Sequence, residues 1–126
     1  MNNEEIALAR NDEEHPIPPA LRDTFRLVVE AFAAGDFTLR ERPVKGVANV
    51  DPGTAKFIEQ TLATCGDALM PLNEAVWERS CYRWMDGYWS MLVDLSTRRQ
   101  IVSDMTLHAD MQEATRIMHI RSVHIP

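Results

Sequence analysis

Arg79-Ser80-Cys81-Tyr82-Arg83-Trp84-Met85-Asp86-Gly87-Tyr88-Trp89-Ser90-Met91-Leu92-Val93-Asp94 is the stretch whose reading decides the fold. Asp86-Gly87 lies between two aromatic-rich runs, a strong short-range signal for a two-residue β-hairpin, because both turn residues need φ > 0. The register follows by counting outward from that turn. Met85 faces Tyr88, Trp84 faces Trp89, Arg83 faces Ser90, Tyr82 faces Met91, Cys81 faces Leu92, and Arg79 faces Asp94. Met85 and Tyr88 form the hydrogen-bonded pair beside the turn. Trp84 and Trp89 therefore take the next, non-hydrogen-bonded site, where an aromatic pair adds about 0.5–1.5 kcal/mol beyond its buried area.

Working outward, the C-terminal side supplies two more strands. About Val102 to Asp110 reads as the third, with Met105, Leu107 and Ala109 inward and Asp104, Thr106, His108 and Asp110 outward. About Thr115 to Ile125 reads as the fourth, but its pattern slips by one residue: Met118 and Ile120 share one parity, Val123 and Ile125 the other. A β-bulge near Arg121-Ser122 restores both pairs to the core face. One face then collects Tyr82, Trp84, Trp89, Met91, Val93, Leu95, Met105, Leu107, Met118 and Ile120.

On the N-terminal side, Leu21, Phe25, Val28, Val29 and Phe32 form one apolar stripe of a helix opened by Pro19 or Ala20 and closed by Gly35. Asp51-Pro52 is an N-cap followed by proline at N1, opening a second helix that runs to Cys65, with Gly66 as its stop. Val44, Val47 and Val50 read as anchors pinning the loop between the helices, whose Phe37-Thr38-Leu39 could form an edge strand. Pro71 confines Ala68 to Leu72 to a sheet edge, and Asn73 to Trp77 reads as one capped turn. The whole is an α+β fold, two N-terminal amphipathic helices packed on one face of a four-stranded antiparallel β-meander. Residues 15–126 are expected to form this single domain, and residues 1–14, rich in Glu and Asp, a mobile acidic tail.

The totals bound what the protein can do. The 126 residues are 45% hydrophobic and 25% charged, with net charge −6, as in an ordinary one-domain globular protein. With a sequence pI near 5.1, nucleic acid and anionic membrane are disfavoured as partners. Cys65 and Cys81 lack CxxC spacing and have apolar neighbours, so buried free thiols in a reducing cytoplasm are expected. No secretion signal or membrane span is read, which points to a cytoplasmic protein.

Trp77, Ser80-Cys81, Trp84, Tyr88-Trp89, Leu92-Val93-Asp94-Leu95, Ser103-Asp104-Met105-Thr106-Leu107 and Val123-His124-Ile125-Pro126 together resemble a family of small bacterial proteins known only as a domain of unknown function. His15-Pro16-Ile17-Pro18 and the first helix extend the resemblance over most of residues 15–126. It implies a bacterial source and brings no activity or cofactor. The order of helices followed by a meander also resembles cone-shaped folds of the nuclear-transport-factor-2 type, a likeness of element order alone.

Chemistry, by this register, belongs to the outer sheet face: Arg83, Asp104, His108, His119 and Arg121 are the candidate binding residues. Arg79 opposite Asp94 reads as a cross-strand ion pair. No glycine-rich phosphate loop, GxSxG or HExxH occurs, so neither a cofactor nor a metal is expected. Two functions from different classes follow. The first is a non-catalytic protein-interaction module, of which an immunity-type binder is one form, with another protein as its partner. The alternative is a small-ligand enzyme with a pocket between sheet and helices, using Asp104, His108 and His119 as acid–base groups. An enzyme needs those groups inside a concave cavity, whereas a binder presents them on an open face.

Overall fold

Proline and the capping residues set the helix limits. The computed structural model describes residues 6–125. Strand β1 (His15–Pro16) leads into helix α1 (Pro19–Ala33), and helix α2 (Pro52–Cys65) follows the long loop. Leu21, Phe25, Val28, Val29 and Phe32 are all buried on α1. At α2 the Asp51 carboxylate accepts the Gly53 and Thr54 N–H groups, and Gly66 terminates the helix in the left-handed conformation at φ 71°. Ala55 and Ile58 are buried, but Cys65 is exposed, contrary to the expectation of a buried thiol. Cys65 is the last residue of the helix, and from Ala63 to the Gly66 cap every residue is exposed.

Between the helices no strand forms; Leu39, Val44 and Val50 are buried instead. The buried carboxylate of Asp36 ties this loop together, accepting the Glu41 N–H at 3.0 Å, the Arg42 N–H at 2.7 Å and the Thr38 hydroxyl at 3.2 Å. Burial alone would raise that carboxyl, but these donors hold it below its ordinary value. Val47 makes an isolated parallel bridge to Met118, tying the loop to the sheet.

Strand β2 (Leu69–Met70) and a 3-10 turn (Glu74–Glu78) capped by Asn73 precede the hairpin of β3 (Cys81–Trp84) and β4 (Tyr88–Asp94). Its register is the one counted from the turn: Cys81 with Leu92, Tyr82 with Met91, Arg83 with Ser90, Trp84 with Trp89. Asp86 and Gly87 have φ of 54° and 117°, and the Met85 N–H donates to the Tyr88 carbonyl at 2.8 Å. The two indoles meet at 5.0 Å between ring centroids.

Strand β5 (Ser96–Thr97) pairs with β2 in a separate two-stranded sheet, and β6 (Thr106–Gln112) and β7 (Met118–His124) complete the main sheet. The main sheet has five strands in the order β1-β3-β4-β6-β7, so the four-stranded expectation is corrected. The added strand is the short His15-Pro16 run, paired with Tyr82 and Cys81 at the edge, where a residue without an N–H is tolerated. Between β6 and β7 the register shifts after His108, which pairs with Ser122 while Ala109 pairs with Ile120. Arg121 is the extra residue, as the slipped apolar pattern requires, and Met118, Ile120 and Val123 are buried together. Ile125 lies past the last strand and is exposed rather than returned to the core.

The helices and the apolar sheet face share one core. α1 lies beside β2, and α2 beside β7. Within the expected acidic tail, Ile6 and Leu8 are buried in that core and residues 11–14 are exposed, while residues 1–5 lie outside the described residues. The alternating apolar side chains of Ile6 and Leu8 outweigh the acidic composition around them. No helix among the described residues is long and apolar enough to cross a membrane.

Candidate functional site

Pairing register, not proximity in sequence, places the polar side chains of the outer face. Arg83, Ser90, Asp110 and His119 lie side by side across β3, β4, β6 and β7. The next row holds Cys81, Leu92, His108 and Ser122. The bulge adds Arg121 between the rows, and its Nε donates to Asp110 Oδ2 at 2.9 Å. Leu92 is exposed in the middle of this face.

Ser90, His108 and Asp110 invite comparison with a nucleophile relay, but the geometry is wrong for one. A relay needs the serine on one imidazole nitrogen and the carboxylate on the other. Here His108 Nε2 meets both Ser90 Oγ, at 3.1 Å, and Asp110 Oδ1, at 3.1 Å. The contact to Asp110 is close without being aligned, since the buried Oδ1 has no hydrogen-bond partner. We read it as a weak electrostatic contact and the Ser90 contact as the hydrogen bond.

Asp104 does not join this cluster. It is exposed on the segment before β6 and lines a separate groove of about 480 Å³ with Arg79, Asp94, Ser103, Thr106 and Ile125. Burial pushes the Asp94 carboxyl above its ordinary value, and the positive charge of Arg79 opposes that shift. Ser103 is committed to the backbone, donating to the Leu95 carbonyl at 2.7 Å and accepting the Met105 N–H at 3.2 Å. The acid–base set Asp104, His108 and His119 is thus divided between a groove and an open face.

Two further grooves border α2. One, of about 520 Å³, is lined by residues that include Asp36, Arg40, Lys56 and Glu59. The other, of about 340 Å³, includes Phe32, Phe37, Leu62 and Leu69. None of the candidate histidines reaches either groove. Among the described residues, no group of three or more His, Cys, Asp or Glu side chains is arranged to hold a metal ion.

Sequence reasoning missed the pairing of Cys81 with the N-terminal segment. The Cys81 thiol donates to Glu14 Oε2 at 2.9 Å, and burial, that bond and the charges of Glu14 and Asp94 push it up to about 12. It also missed the docking of residues 6–10. The one sequence signal for that was the spacing of Ile6 and Leu8.

The model of a family described as Domain of unknown function (DUF7668) matches residues 29–126. The chain belongs to this family. The matched region holds α2 and the whole hairpin, together with every outer-face residue named above. No curated protein and no solved structure matches the chain.

Proposed function

We propose that this domain is a non-catalytic protein-interaction module whose recognition surface is the open outer face of the main sheet. In this reading both helices back the apolar face, leaving the polar one to a partner. One observation carries it: the exposed Leu92 lies beside His108 and diagonal to Arg83, and His119 and Arg121 continue the same sheet face on the next strand. An apolar side chain with polar and charged neighbours suits association with another protein. Pinning of Arg121 by Asp110 supports the reading, since a pre-ordered arginine loses less freedom on binding. The partner is a protein that brings charge complementary to Arg83 and Arg121, and the association should weaken with salt.

The test compares two affinity columns loaded with one extract of the source cells, one carrying the wild-type chain and one Arg83→Glu/His119→Glu. The expected result is a protein held by the first, released by salt and lost from the second. Both changes are on the surface and should alter stability by about 0.5 kcal/mol or less each, checked by melting. A partner held equally by both columns removes the outer face from the mechanism.

A further inference from the structure

The N-terminal segment of residues 6–10 has no regular secondary structure, and among the described residues it makes no main-chain pairing with the sheet. Side chains of the domain hold its backbone instead. Tyr82 Oη accepts the Ala9 N–H at 2.9 Å, and Trp89 Nε1 donates to the Ala9 carbonyl at 2.9 Å. Arg116 donates to the Ile6 carbonyl at 2.9 Å. Both polar atoms of one peptide residue are therefore read by aromatic side chains of adjacent strands. Ile6 and Leu8, two residues apart as on an extended strand, insert into the core. Arg10 then lies 5.4 Å from the Trp89 ring and 5.9 Å from the Trp84 ring, paired with Glu113. Asn11, Asp12, Glu13 and Glu14, which join this segment to β1, are exposed and polar.

We propose that Tyr82, Trp84, Trp89 and Arg116 form a seat for an extended peptide, filled in cis by residues 6–10 and able to take the same segment from a second copy of the chain. The seat holds main-chain atoms of Ile6 and Ala9 while the Ile6 and Leu8 side chains enter the core, so it is indifferent to whether the segment is covalently attached. The second copy is the occupant because it carries the one sequence the seat is seen to fit: Ile and Leu at alternate positions, a small residue, then arginine. The connection is exposed and polar, and parting the Glu14 contact with Cys81 and the Asn11 contact with His15 lets the segment exchange between copies. The cis segment competes at the high effective concentration its short tether provides, so the seat is masked until that segment is weakened.

The test uses a fluorescein-labelled peptide spanning residues 6–14, titrated by anisotropy against full-length wild type and full-length Leu8→Asp. The variant places a charge where Leu8 is buried and should release the segment. The expected result is at least a tenfold gain in peptide affinity for the variant over wild type, lost when the peptide sequence is scrambled. A folded Leu8→Asp protein that binds no more tightly than wild type, or equally tight binding of the scrambled peptide, overturns the proposal. If Leu8→Asp does not fold, Ala9→Pro replaces it, removing the N–H that donates to Tyr82 Oη and restricting the backbone of residues 8 and 9. Failure of both variants to fold makes the segment an integral part of the core and likewise overturns the proposal.

Discussion

Residue by residue, the two cysteines show how tertiary position divides one chemistry into two behaviours. Cys65 ends α2 in solvent, whereas Cys81 is partly buried against Glu14 with a thiol pushed to about 12. Because the thiolate is the reactive form, a neutral-pH thiol reagent should label Cys65 rapidly and leave Cys81 unmodified until denaturant is added. Mass spectrometry of the native protein checks this; fast double labelling contradicts it. The same group sets a pH dependence. The folded thiol ionises later than the unfolded one, whose ordinary value is 9.0. Its stabilising effect is therefore fully present below pH 9.0 and is lost as pH rises through about 12. Urea midpoints of wild type should fall more steeply over that window than those of Cys81→Ser, and parallel curves would show that burial and Glu14 do not raise the thiol in the folded protein.

Hairpin and bulge are the elements in which local chemistry decides structure most directly. Gly87 has φ 117°, and a Cβ built there meets nothing within 4 Å, so any penalty for a side chain comes from the backbone alone. Gly87→Val should destabilise by about 1–2 kcal/mol or more, because a β-branched residue resists positive φ. Equilibrium urea unfolding measures it, and an unchanged midpoint would show that the turn does not hold the strands in register. The bulge was legible for a related reason. A period-two pattern cannot change parity inside a strand without an extra residue, so the slip between Ile120 and Val123 placed the bulge near Arg121-Ser122, and the pairing makes Arg121 the extra residue. β1 was not legible in this way: two residues, one of them proline, show no period, and only pairing with Tyr82 and Cys81 makes them a strand.

Across the whole molecule, stability rests on one core shared by the helices, the sheet and residues 6–8. Phe25 is fully buried in the α1 stripe. Phe25→Ala should cost about 3–5 kcal/mol through lost transfer energy and the cavity left behind. That is a large share of the roughly 5–15 kcal/mol typical of a domain, so the variant should melt far below wild type. A shift of only a degree or two in a thermal scan would place α1 outside the cooperative unit.

The sequence by itself determined the elements whose signals are local: the α2 cap at Asp51-Pro52, the α1 stripe, the Asp86-Gly87 turn with its register, and the bulge. Each depends on backbone conformation or side-chain period over a few neighbouring residues. Tertiary structure alone decided the fifth strand, the separation of Asp104 from His108 and His119, and the docking of Ile6 and Leu8. Ala9 meets Tyr82 across 73 positions and Trp89 across 80. No local pattern encodes such contacts, because the free energy of burying a segment belongs to the surface it meets as much as to its own residues.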